Sequence, residues 1–418
     1  MKKLLSVLLT GAMAFSMTAR MAASADEGET VIHYWAQWSE NETQAKVLKD
    51  AIARFEEKNP DIKVDVNWAG RDVREILRTS IDSGTEIDIV ESGFDHIARN
   101  LGEEYLMDLT PYMEGTDFEA AISEGMANFA KGFTSDGKSW YYIPAQPFVG
   151  TIYYNKAIFE EAGIEKMPAT WAEFLDCCQK IKDAGYDPMT IDDAYIPCLY
   201  GTYMAMAKGT DWCTQMMTEK DSTLWDDPTV LQMAKDFAAM QENGYFSSSV
   251  GSNVFPAAQN SEFAMGTAAM YYNGSWLPNE VADITGDDFQ WGAMFFPAPE
   301  GSAYPYTTYS TGCQFYGVTK GCENPEAAVA LLAEFTSQET QQALTDECQC
   351  IPVIDGIELP ENLKCVGELM NESTDAFVWT GANSSDPEIQ AIINTAFSEL
   401  IAGDLSPEEF VENVKSQM

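Results

Sequence analysis

Apolar residues recur along this chain in two alternating periods, and the order of those periods predicts the fold. TVIHYWAQW (30–38) opens as an apolar strand that ends in aromatics. Ala45, Leu48, Ile52 and Phe55 then repeat at helical spacing, with Lys46, Lys49, Glu56 and Glu57 on the opposite face, and Asn59-Pro60 stops that helix. Ile62, Val64 and Val66 alternate as a second strand. Val73, Ile76, Leu77 and Ile81 mark a second helix closed by Gly84, and IDIV (87–90) reads as a short buried strand. The succession β-α-β-α-β predicts a parallel sheet with right-handed crossovers. Ligands of such sheets sit beyond the carboxyl ends of the strands, here at AQWSE (36–40) and ESGFD (91–95).

The pattern restarts after YYIPAQPFVGTIYYNK (141–156). Thr170-x-x-Glu173 forms a capping box ahead of a helix that turns Trp171, Phe174, Leu175, Cys178 and Ile181 to one side. In EFAMGTAAMYYNGSW (262–276), Gly266 ends a helix and TAAMYY reads as a strand. Asn273-Gly274 is read as a sharp turn and Ser275 as the cap of a helix beginning at Trp276. That arrangement would hold the Trp276 indole at a strand's carboxyl end. FFPAPEGS (295–302) and CIPVID (350–355) are breaks on either side of the strand TTYSTGCQFYGVTK and of a helix started by Asn324-Pro325-Glu326, with Ala328, Leu331, Leu332 and Phe335 inward. Asp386-Pro387 and the Ser406-x-x-Glu409 box open the last two helices. With no repeat and no low-complexity tether, the breaks read as crossings between two lobes.

Composition narrows the function. At 418 residues the chain is too long for one simple core. Residues 1–25 combine Lys2 and Lys3, an apolar run from Leu4 to Phe15 and the small-residue site Ala23-Ser24-Ala25, the pattern of an export signal too short to span a membrane. Its removal takes away three basic residues and no acidic ones, so the mature chain, starting near Asp26, is more acidic than the formal −42 of the whole. Such a charge repels nucleic acid and anionic lipid. Nine cysteines, none before Cys177, are read as structural thiols or a disulfide of undetermined pairing; Cys348-x-Cys350 with Cys365 lacks the remaining features of a zinc site. Ser92, Asp95 and His96 fall within five positions, with no Gly-x-Ser-x-Gly elbow, so a catalytic triad is not expected.

Four stretches carry a resemblance: YYIPAQPFVGTIYYNKAIFEEAGI (141–164), PATWAEF (168–174), FAMGTAAMYYNGSW (263–276) and GVTKGCENPEAAVALLAEFTSQETQQAL (317–344). In order and spacing they resemble the family 1 extracellular solute-binding proteins, the receptors of ATP-driven importers that include the maltose-binding protein. The resemblance implies an α/β, two-lobed periplasmic-binding-protein-like fold of type II. One lobe would be formed by 26–145 and 299–350, the other by 146–298 and 351–418, with the ligand cleft between them. It implies a monomeric carbohydrate receptor with no cofactor and no catalytic residue, delivering an oligosaccharide to the membrane permease subunits of an ABC importer. The positions that meet sugar in the family correspond here to Trp38, Glu40, Phe94, Asp95, Gln146, Tyr153, Trp276, Tyr309 and Trp379. Where anchored members carry a lipid-modified cysteine this chain reads MTARMA (17–22), so the expectation is an exported protein of the periplasm or the outer face of the cytoplasmic membrane, with no lipobox cysteine to support an anchor.

A sugar presents hydroxyls and apolar C–H faces, which suit flat aromatic walls and a few carboxylate or amide partners. Other cargoes remain open at this stage. A polyamine would need acids inside the cleft. Ferric iron would need phenolates, and the paired tyrosines at 141–142, 153–154 and 271–272 point to opposite faces of their strands. A glycoside hydrolase would need two suitably spaced carboxylates, which 66 acidic residues supply by chance.

Overall fold

The computed structural model describes residues 30–251, 257–286, 288–378 and 386–418. The export signal and Trp379 therefore lie outside the described residues.

Nine strands form one mixed sheet: β1 (Thr30–Ala36), β2 (Ile62–Trp68), β3 (Ile89–Gly93), β4 (Ile143–Asn155), β5 (Asp187–Thr190), β6 (Ala268–Gly274), β7 (Trp291–Met294), β8 (Thr308–Val318) and β9 (Asp375–Val378). Along the main path the order is β2-β1-β3-β8-β4-β6-β5, with β7 paired to β4 and β9 to β8. β1 pairs in parallel with both β2 and β3, as the β-α-β-α-β pattern requires. β5 and β6 make a second parallel pair. The two halves are joined by the long antiparallel ladder of β4 and β8, the only strands that run the full depth between them among the described residues. Each is buried along nearly its whole length. Together they form the floor common to both halves.

The helices form where the pattern puts them. Helix Thr43–Lys58 buries Ala45, Leu48, Ile52 and Phe55, together with Val47 and Ala51. Helices Trp171–Asp183 and Pro407–Lys415 carry complete capping boxes. Helix Pro325–Phe335 buries Ala328, Leu331, Leu332 and Phe335 and packs with helix Gln338–Cys348 against Thr43–Lys58. In the other half, helices Pro387–Ala402 and Pro407–Lys415 pack on Pro228–Glu242, while helix Ile196–Lys208, buried from Ile196 to Ala207, fills the centre. A second apolar cluster under β6 and β7 gathers Tyr153, Phe263, Tyr271, Trp291, Ile351, Leu363 and Leu369.

Three local expectations are corrected. Ile76 is 41% exposed, and helix Val73–Asp82 instead buries Val73 and Leu77. Asn273-Gly274 is not a turn: β6 runs through Gly274, paired to Gly150 of β4. Ser275 does not cap the next helix, Leu277–Glu280. Its hydroxyl accepts from the Val149 backbone N–H at 3.3 Å, tying the end of β6 to β4.

Candidate functional site

Where β3 and β6 end beside the crossing ladder of β4 and β8, the described residues line a cavity of about 760 Å³, within the roughly 300–1,000 Å³ usual for small-molecule sites. Its floor is the register pair Gln146 on β4 and Gln314 on β8, the latter facing Gly93 of β3 on its other side. Gln146 is 7% exposed, yet its amide nitrogen has no hydrogen-bond partner, and the Gln314 amide oxygen has none either. A buried amide left unpaired costs the fold free energy, so this is a place where polar capacity is held open.

One wall belongs to the β1–β3 half. Trp38, beyond the end of β1, is 6% exposed and donates its indole N–H to Glu91 Oε1 at 2.7 Å. Glu91, fully buried on β3, also accepts from the Tyr34 hydroxyl. The Arg71 guanidinium lies 4.7 Å above the Trp38 ring, donates to the Gln37 carbonyl at 2.5 Å and pairs with Glu42 at 2.9 Å. Trp38 is thus held by its edge and its face, and the atoms it can offer a ligand are apolar. Burial raises the Glu91 carboxyl to about 7, against the opposing pull of Tyr34, Trp38, Arg71 and the Gln37 N–H. Phe94, fully buried at the start of the π-helical stretch Asp95–Leu101, completes this wall.

The opposite wall belongs to the β5–β7 half. Trp276 donates its indole N–H to the Tyr195 hydroxyl at 2.7 Å, and its ring meets Phe148 edge-on at a centroid distance of 5.4 Å. Both rings rest on glycine. A side chain at Gly274 would come within 2.3 Å of the Trp276 ring, and one at Gly312 within 2.2 Å of Phe148. Glu280 lines the same wall; among the described residues its carboxylate meets only the Asn260 amide, at 3.5 Å. It is exposed to the water of the cavity, and the surrounding walls take away only part of the solvent that stabilises its charge. That desolvation raises its carboxyl to about 7, with the nearby charge of Asp192 adding to the shift.

Of the residues expected from the sequence, Trp38, Phe94, Gln146 and Trp276 come together around the cavity. Glu40 does not; it is exposed and pairs with Lys49 at 2.9 Å. Tyr153 is fully buried, packed edge-on against Trp291 in the second apolar cluster, and Tyr309 packs against the same cluster. The Asp95 side chain lies outside the described residues, as does Trp379. Arg71, Glu91, Phe148, Tyr195, Glu280 and Gln314 were not expected. Phe148 stood inside the quoted AQPFVG run, and the others had no signal beyond nearness to a strand end. Ser92 is buried with no partner on its hydroxyl, so the ESGFDH residues form no Ser–His hydrogen bond. All nine cysteines are free thiols. Among the described residues no group of three or more His, Cys, Asp or Glu is placed to hold a metal ion, and no helix is long and apolar enough to cross a membrane.

A sheet of two halves joined by crossing strands, with a cavity between them walled by aromatics, is the architecture of a two-lobed solute receptor. The family model described as bacterial extracellular solute-binding protein matches residues 39–342, and the chain belongs to that family. A Brucella abortus relative, described as a binding protein with no ligand named, is 26% identical over 344 residues, covering 80% of this chain and 78% of that one. The diacetylchitobiose binding protein NgcE of Streptomyces coelicolor is 26% identical over 255 residues, 57% of this chain and 54% of its own. Among solved structures, RafE in complex with raffinose superposes with a TM-score of 0.71 at 21% identity, over 93% of this chain and 98% of RafE. The fold is the same at that distance.

Proposed function

We propose that the chain is a carbohydrate receptor that captures an oligosaccharide in this cavity and passes it to the permease subunits of an ABC importer. The observation that carries this reading is the Gln146–Gln314 pair: two neighbouring carboxamides with unused hydrogen-bonding capacity, flanked by Trp38 and Phe94 on one side and Trp276 and Phe148 on the other. Hydroxyls of a sugar ring would meet the amides, and its C–H faces would meet the rings. Sugar-named relatives, including a multiple sugar-binding protein of Streptococcus mutans, support the same class of cargo. In this reading the lobes are 26–145 with 299–350 and 146–298 with 351–418, crossing at β4 and β8. In the same reading the protein works outside the cytoplasm as a monomer.

Two alternatives have less support. None of the six paired tyrosines lines the cavity among the described residues, and the phenol that does, Tyr195, already accepts from the Trp276 indole, which leaves little support for ferric iron. Glu42 and Glu280 do line it, but Arg71 and Arg74 share the lining, an unfavourable setting for a polyamine charged along its length. Isothermal titration with mono- and oligosaccharides, spermidine and ferric citrate tests the reading, with sugar integrity checked afterwards. Binding of one intact oligosaccharide is expected. Silence toward every sugar would overturn it, and shortened sugar would point to hydrolysis.

A further inference from the structure

The cavity lining is polar on both walls but unequal in charge. Its two cations, Arg71 and Arg74, follow β2 on the Trp38 side, where Arg71 is already paired to Glu42. The Trp276 side holds Glu280 and no basic residue, and behind Glu280 lies a second acid, Asp192. Asp192 is 1% exposed and is fully served by the protein, accepting from the Tyr271 hydroxyl and from the Ala194 backbone N–H at 2.7 Å. Glu280 is exposed to the cavity and little served by the protein: among the described residues it meets a single amide at 3.5 Å, a weak partner for a carboxylate. Asn260, which supplies that contact, is 8% exposed and leaves its own amide oxygen without a donor. That oxygen is enclosed and outside the cavity lining, so the acceptor open to a ligand here is the Glu280 carboxylate. Beside it stand the faces of Tyr195 and Trp276, inclined at 36° with centroids 5.8 Å apart.

A hydroxyl would satisfy one acceptor and leave the charge uncompensated. A protonated amine supplies three donors and a positive charge together, and the neighbouring aromatic faces attract it as well. Resting on the carbohydrate reading above, we infer that Glu280, Tyr195 and Trp276 form a subsite for a protonated amino group, so that the preferred cargo is a sugar carrying a free amine. N-acetylation removes both the charge and two of the donors, which makes the acetylated sugar the natural comparison. The unpaired Gln146 amide on the floor of the same cavity is an independent sign that a ligand belongs there.

The test is titration of the purified protein at neutral pH with glucosamine oligomers and with N-acetylglucosamine oligomers of equal length, alongside neutral glucose oligomers and spermidine. The free-amine sugar is expected to bind about tenfold more tightly than its acetylated form, one charge-assisted contact's worth of preference. In Glu280→Gln that ratio is expected to fall toward one, with circular dichroism confirming a folded chain. The comparison in the unsubstituted protein stands even if the variant does not fold. Equal or tighter binding of acetylated or neutral sugars would overturn the amine subsite while leaving the sugar receptor intact. Binding of spermidine with no sugar binding would overturn both.

Discussion

The Trp276 indole lies directly over the backbone of Gly274, two residues before it, so closely that a methyl group there would stand 2.3 Å from the ring. Gly274 is not among the residues with positive φ, so the glycine serves space and not conformation. Gly274→Ala should push the indole off its seat and break its bond to Tyr195. The expected result is about 1–3 kcal/mol of lost stability from overpacking and a loss of ligand affinity that Trp276→Ala reproduces. An unchanged affinity for the bound sugar would remove Trp276 from the site.

Much of this was legible in the sequence, for a physical reason. Helices Thr43–Lys58, Trp171–Asp183 and Pro325–Phe335 declare themselves because burial of one face and capping are local in the chain. Trp38 and Trp276 were legible because strand ends fix where a ligand can sit. What stayed hidden depends on contacts far apart in sequence. Glu91 is one acid among many until β3 brings it to Trp38, 53 positions earlier. Gln314 becomes a floor residue only through its register with Gln146. Tyr153 and Tyr309 showed the reverse problem: they lie on the crossing strands beside the cavity, but they face the apolar cluster under β7.

The Gln146 amide should separate function from stability. Its nitrogen is buried without a partner, so Gln146→Leu removes an unsatisfied group at nearly constant volume. The variant is expected to melt at the same temperature or higher, since that penalty of about 1–3 kcal/mol is relieved. Sugar affinity should drop by about tenfold as a hydrogen bond to the ligand disappears. A lower melting temperature with unchanged affinity would make Gln146 an ordinary structural residue.

The thiols offer a check on the core. All nine are free, and eight are buried, with Cys350 only half-buried. Burial pushes Cys177, Cys313 and Cys322 up to about 12, which leaves little thiolate to react. A thiol reagent should therefore modify few cysteines in the native protein and all nine after denaturation. Added reductant should leave the melting temperature unchanged. A reductant-sensitive melt would reveal a disulfide that contributes to stability.

Glu91 should leave its mark on the pH dependence of stability. An unfolded glutamate titrates near 4.5, whereas burial raises Glu91 in the folded chain to about 7. Between those values the folded protein keeps a proton that the unfolded chain has released. Raising the pH through that window therefore favours unfolding: the group's contribution is full below about 4.5, declines toward 7 and is flat above it. The groups facing Glu91 are Tyr34, Trp38, Tyr316, Arg71 and Cys350, and Tyr34 and Tyr316 are themselves raised by burial and by its charge. Glu91→Gln can keep the bond from Trp38 and cannot ionise. Melting curves of both proteins from about pH 4.5 to about pH 8 should therefore diverge, with the variant gaining on the parent as pH rises. Glu280 titrates in the same direction but is present in both proteins, so it cancels from the difference. Parallel curves would mean that Glu91 stays ionised in the fold, its charge held by Arg71 and the Tyr34 and Trp38 donors against the cost of burial.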